Sequence, residues 1–195
     1  MNLIIGYIHD GVVYIATETG QTVDTYSFSD ATDTGLSTFF LPGGALCAVT
    51  GHALCETVKT NMQWFDGLTG TELTKELIVK TIVPKLYDGL EGRGLIDGID
   101  TGESHTTGAV LLAQKDKLFC IDADFTVYVI PKYCIIGPDA TLDFAYPVLA
   151  LYDGGDVAAM LYDAMEAVRA YTRDVRKPYF LFTTDSTEKK LLSKE

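Results

Sequence analysis

The apolar residues of this chain fall into short β-like runs at its start and middle and into a helical stripe near its end. Leu3-Ile4-Ile5-Gly6-Tyr7-Ile8 and Val12-Val13-Tyr14-Ile15-Ala16 lie on either side of Asp10-Gly11, a pair that closes tight turns, so the spacing predicts a hairpin that opens the chain. Leu3, Ile5 and Tyr7 on one face and Ile4, Gly6 and Ile8 on the other are all apolar. Both faces of this hairpin therefore need a cover. Residues 18–35 are dense in Thr, Ser and Asp and read as a loop. Strands are expected at 36–41 and 45–49, around the turn Pro42-Gly43-Gly44.

A helix is predicted over 52–65, with Leu54, Val58 and Met62 on one face, and another over 71–87, kinked or interrupted at Pro84. An acidic, glycine-rich loop follows at 88–106, then strand patterns at 108–113, 118–121, 127–130 and 133–136. Helical patterns return at 143–152 and 156–173. The second has Asp156 as its N-cap and Val157, Met160, Leu161, Ala164, Val168 and Tyr171 as its buried stripe. Residues 178–183 form a last strand. Helices in consecutive pairs cannot serve as single crossovers between parallel strands, so this order implies an α+β fold: a four-layer αββα sandwich of two antiparallel sheets flanked by helix pairs. The expected organisation is one domain over residues 1–184 and a charged tail over 185–195.

A chain of 195 residues with 47% hydrophobic and 22% charged residues can bury a core without disulfide or metal staples. Its apolar runs are too short to span a membrane, and no basic segment precedes the first of them, so no membrane partner is expected and residence is expected to be cytoplasmic. A net charge of −12 argues against nucleic acid. The basic residues Arg173, Arg176, Lys177, Lys189, Lys190 and Lys194 read as a helix end followed by a solvated tail. Cys47, Cys55, Cys120 and Cys134 show no CxxC spacing and read as reduced core thiols. With His9, His52 and His105 as the only histidines, no metal and no cofactor are expected.

A strand that starts where the chain starts suits enzymes in which the α-amine of residue 1 activates its own hydroxyl or thiol. Here the first side chains are Met1 and Asn2, and neither is a nucleophile. The opening hairpin, the junction Ala48-Val49-Thr50-Gly51-His52-Ala53, the runs Gly108-Ala109-Val110-Leu111-Leu112 and Ile121-Asp122-Ala123-Asp124, then Ile135-Ile136-Gly137, residues 146–154 and the closing helix and strand together resemble the proteasome β-subunit family and its HslV-type relatives. The resemblance covers most of the chain and implies the N-terminal-nucleophile fold.

In that family a threonine attacks the peptide with its own amine as base, a lysine lowers the amine's pKa, and an aspartate orders the lysine. The resemblance places the threonine at Asn2 and the aspartate at Glu18. The lysine falls near residues 36–38, yet no Lys or Arg precedes Lys59. Asp174 matches a further family aspartate, while the serine three residues on is Lys177, and another serine position falls on Pro138 or Asp139. Met1 is expected to be retained before a side chain as large as Asn2. Processing between Gly70 and Thr71 would discard four strands and is set aside. His52 reads as a capping or solvent-facing residue, and Asp97, Asp100, Glu103 and His105 as an acidic loop.

The resulting expectation is a proteasome-subunit-like protein without threonine-peptidase chemistry that self-assembles, a ring being the form the family implies. Two alternatives stay open: an active hydrolase of this fold with a non-standard or processed nucleophile, and a small-ligand binding module in the vestigial cleft. Trp64, Phe65 and Leu68 are the candidate interface residues, their rival role being closure of the domain's own core.

Overall fold

In the computed structural model, which describes residues 2–23, 26–29, 36–98, 103–137, 142–172 and 174–194, the chain opens with strands β1 (Ile4–His9) and β2 (Val12–Glu18). Asp10 and Gly11 both take positive φ, +47° and +77°, the handedness that a two-residue hairpin turn requires. They set a register that runs from Ile4↔Thr17 to His9↔Val12. The stretch expected as a loop instead continues β2 to Glu18 and forms a two-stranded ribbon, β3 (Gly20–Val23) with β4 (Tyr26–Ser29). Its β-prone Val23, Tyr26 and Phe28 are diluted by Ser and Thr, which hides the strands in a polarity pattern. Residues 30–35 of that expected loop lie outside the described residues.

Strands β5 (Thr38–Phe40), β6 (Leu46–Val49), β7 (Val110–Gln114), β8 (Lys117–Ile121) and β9 (Val127–Ile130) form one antiparallel sheet in sequence order. The opening hairpin lies inside the other, whose order is β10-β1-β2-β11-β12 with β10 (Tyr133–Ile136), β11 (Tyr179–Thr183) and β12 (Lys190–Leu192). Its pairs are also antiparallel. The residues read as a charged tail thus contain a strand on the edge of this sheet, anchored by buried Leu192.

The two sheets face one another through Ile4, Val13, Ile15, Leu46, Leu111 and Phe182. Leu3, Ile5 and Tyr7, on the opposite face of β1, pack under helices α4 (Leu142–Ala150) and α5 (Val157–Arg169). On the far side Cys47, Leu112 and Phe119 meet Val58, Ile78 and Leu86 of the other helical layer. This is the αββα sandwich that an apolar hairpin with two covered faces demands.

The helices differ from the sequence expectation mainly at their ends. Helix α1 (His52–Thr60) stops where the Thr60 hydroxyl donates to Glu56 O and the Asn61 amide to Thr57 O, bonds that compete with further helix, and a 3₁₀ segment (Met62–Leu68) continues in its place. The second helix starts at Lys75, not Thr71, because Thr74 caps it by accepting from Leu77 N–H at 3.1 Å. Pro84 does not interrupt it. A π turn (Ile78–Ile82) links α2 (Lys75–Leu77) to α3 (Val83–Glu91), and the wider turn places Pro84 in the first turn of α3, where its missing N–H costs least. In α5, Asp156 accepts from Ala158 N–H at 2.8 Å, and Val157, Met160, Leu161, Ala164 and Val168 are buried. Tyr171 is a correction: it lies past the end of α5 and is exposed, its ring stacked on Phe144 at 3.7 Å.

Candidate functional site

The start of β1 is held by a buried carboxylate. Glu18, at the end of β2 and fully shielded from solvent, accepts from Leu3 N–H at 3.3 Å through one oxygen and from Arg176 N–H at 3.1 Å through the other. It pins the beginning of the chain to the segment that leads into β11. A carboxylate can be buried there because backbone donors replace its water.

Asn2, 6% exposed, turns its amide onto the hydroxyl of Ser37, to which it donates a hydrogen bond. Ser37 stands just before β5, within the stretch 36–38 near which the resemblance expects the lysine. A hydrogen bond links the Ser37 hydroxyl to the Cys55 thiol of α1, and another links that thiol to the ammonium of Lys59 one turn further on. Lys59 is the first cation in the sequence, and its amine also lies 3.3 Å from Glu56 Oε1 and 6.0 Å from the centre of the Phe39 ring. Burial pushes the Cys55 thiol up to about 11, against the downward pull of Lys59, so at neutral pH it stays protonated. Reading along the chain missed Ser37, Cys55 and Lys59 as a connected set. The signal was the i, i+4 spacing of Cys55 and Lys59 on a helix that follows the strand.

The third candidate position stands apart. Asp174 is partly exposed, and its backbone N–H donates to Thr172 Oγ1 at 3.1 Å. Pro138 and Asp139 lie outside the described residues. His52 is the exposed first residue of α1 behind Gly51, which adopts φ +84° and makes no side-chain cap. Of the acidic run, Asp97 and His105 pair through their backbones, and Asp100 lies outside the described residues. No group of three or more metal-ligating side chains occurs among the described residues.

Gly137, next to Asn2 and Leu3, also lines a cavity of about 520 Å³ between the two sheets, with Thr50, Cys120, Asp122, Tyr128 and Cys134 among its walls. Gly137 permits this junction, since a Cβ there would lie 3.2 Å from both Asn2 O and Leu3 Cα.

Phe65 and Leu68 are fully buried in the chain's own core, so they have no surface to offer a neighbour. Trp64 is half-buried. Its indole packs where a Cβ on Gly89 would collide, with the Arg93 guanidinium 5.5 Å from its ring.

No protein-family model matches the chain, and no curated protein matches it in sequence. Solved structures do match in shape. The chain is similar to Thiobacillus denitrificans BPH, solved in complex with epoxomicin, at a TM-score of 0.72 and 18% identity over 98% of this chain and 100% of that one. It is also similar to Anbu from Pseudomonas aeruginosa, described as a helical assembly of the Anbu complex, at 0.66 and 11% identity over 93% and 80%. Against HslV from Trypanosoma brucei the values are 0.62 and 11% over 93% and 98%. With its sandwich order, its opening hairpin and these matches in shape, the chain has the proteasome/HslV-like N-terminal-nucleophile fold.

Proposed function

We propose that this protein is a catalytically silent, cytoplasmic, proteasome-like subunit whose role is structural, exercised through self-assembly. The observation that carries the reading is the state of residue 2. Its side chain is an amide that donates to the Ser37 hydroxyl, and an amide supplies no nucleophilic hydroxyl. The surrounding groups support it. Glu18 accepts from backbone N–H groups through both carboxylate oxygens, and between Lys59 and the Ser37 position stands the protonated Cys55 thiol. Ser37 and Cys55 are themselves buried, so neither is presented to a substrate. A threonine-type mechanism needs a hydroxyl, a free amine beside it and a cation to tune that amine.

Self-assembly is the positive half of the proposal. The related shapes include a helical assembly, and this chain exposes Tyr146 and Leu151 on and just past α4 and Tyr171 just past α5. These residues replace Phe65 and Leu68 as the contacts to test.

Incubation with a fluorogenic peptide panel and with a β-lactone or boronate inhibitor is expected to give no turnover and no covalent adduct at the N-terminus. A variant with Met1 removed and Asn2→Thr is expected to remain inactive, because no cation stands at Ser37. Stoichiometric labelling of the natural chain overturns the silent reading, and substantial turnover by the variant overturns the role given to the missing cation. Light scattering is expected to find an oligomer that Leu151→Asp with Tyr171→Asp weakens. A monodisperse monomer at micromolar concentration overturns the assembly reading alone.

A further inference from the structure

Cys120 and Cys134 sit on different sheets and yet line one cavity. Cys120 lies on β8 and Cys134 on β10, and both side chains enter the layer between the sheets. Sheets packed face to face ordinarily stand about 10 Å apart, too far for two thiols to meet without a local approach. Gly6 provides that approach. It pairs directly with Cys134 in the ladder, and a Cβ on it would stand 2.9 Å from Leu118 Cδ2 and 3.4 Å from Leu111 Cδ1. Without a side chain there, Cα atoms of β1 and β8 come within 8 Å of one another. The two thiols share a hydrogen bond.

The pair is also reachable. Both sulfur-bearing residues line the 520 Å³ cavity, and Cys134 is only half-buried. Cys47 of β6 and Cys55 of α1, by contrast, are buried between the β5–β9 sheet and the helical layer that covers it. Donation from Cys120 draws the Cys134 thiol below its ordinary value against burial and the nearby Asp122 carboxylate, while the same bond drives Cys120 upward.

We propose that Cys120 and Cys134 form an oxidisable dithiol that a peroxide entering the cavity closes into a disulfide tying one sheet to the other. The Cys134 thiolate attacks the distal peroxide oxygen. The O–O bond breaks, the leaving oxygen departs as water or an alcohol with one proton, and Cys134 becomes a sulfenic acid. The Cys120 sulfur then attacks the Cys134 sulfur. An S–S bond forms, the S–O bond breaks, and the hydroxide leaves as water with the proton of Cys120. Two thiols are oxidised by two electrons and one peroxide is reduced.

The test exposes the full-length reduced protein to hydrogen peroxide, quenches it with an alkylating agent under denaturing conditions, and maps its peptides without reductant. Free thiols are expected to fall from four to two per chain, with one Cys120–Cys134 cross-linked peptide and a mass loss of about 2 Da that dithiothreitol reverses. The closed loop is short, and its cross-link is expected to raise Tm by roughly 6–12 °C. Cys120→Ser is expected to stop at a sulfenic acid on Cys134 that dimedone captures, and Cys134→Ser to lose the fast oxidation. The wild-type peptide map decides independently of whether either variant folds. A cross-link involving Cys47 or Cys55, a disulfide between two chains, or four unreacted thiols at a peroxide dose that oxidises an unstructured cysteine peptide overturns the proposal.

Discussion

The groups at the start of the chain and those around the cavity that Gly137 lines stand on the same two sheets, but they meet solvent differently. Asn2, Glu18, Ser37 and Cys55 are sealed, and each is bonded to another protein group. Cys120 and Cys134 are bonded to one another at the wall of an open space. The same thiol chemistry therefore takes opposite directions: Cys55 is pushed up by burial beside a hydroxyl, whereas Cys134 is drawn down by a neighbouring thiol. Sealing turns reactive side chains into braces, and reactivity survives where a polar group keeps both a partner and a path to water.

The contrast is broken most severely at Glu18. Glu18→Ala leaves the buried N–H groups of Leu3 and Arg176 without their acceptor, and it is expected to cost about 3 kcal/mol or more, a fall of roughly 6–12 °C in Tm by calorimetry. Asp174→Ala, at a partly exposed acid that also matches the family pattern, is expected to stay within about 0.5 kcal/mol. If the two cost the same, Glu18 is not the brace described above.

A smaller effect sharpens the comparison through pH. Folding raises the Cys55 thiol from its ordinary 9.0 to about 11, so the native state holds that proton more tightly than the unfolded chain does. The contribution is complete below pH 9 and is lost as pH rises from 9 to 11, a change on the order of 2–3 kcal/mol. Urea titrations at pH 8 and pH 11 are expected to show this loss in the wild type and to show less of it in Cys55→Ala. Equal slopes in the two proteins would contradict the sealed environment.

The smallest effect has the opposite sign. Thr38 Oγ1 is, among the described residues, the one buried side-chain polar atom without a hydrogen-bond partner. Thr38→Val keeps the shape and removes the unpaired hydroxyl, so it is expected to stabilise the protein by about 1 kcal/mol in denaturant unfolding.

Much of the fold was legible because its strongest signals are local. Asp10-Gly11 names its own turn, Asp156 its own cap, and the two apolar faces of β1 state that two layers must cover it. Features set by tertiary partners were not legible. Strands β3 and β4 carry too little apolar residue to announce themselves, and the π turn before Pro84 answers a steric demand that the sequence reading assigned to a break. At the site, Asn2 and Glu18 stand out by their places before β1 and at the end of β2, and the lack of Lys or Arg before Lys59 is plain in the sequence. Lys59 was read as the point where cations resume, and its i, i+4 spacing from Cys55, which sets the two side by side on α1, was passed over. Phe65 and Leu68 were misplaced for a related reason. Phe65, two turns after Val58, already falls on the buried face of a helix over 52–65, and the 3₁₀ segment after Asn61 keeps it and Leu68 inside.

The order of strands also governs how the chain can be made. All five strands of the β5–β9 sheet lie between Thr38 and Ile130 and pair in sequence order, so that sheet can close as soon as they have left the ribosome. The opening hairpin has no such option. Glu18 waits for Tyr179, about 160 residues later, an interval of roughly 8–32 s at ordinary translation speeds. The other flank fills sooner: β10 reaches β1 once Ile136 has been made and helices α4 and α5 follow, but the sheet holding the opening hairpin is still the last to be completed.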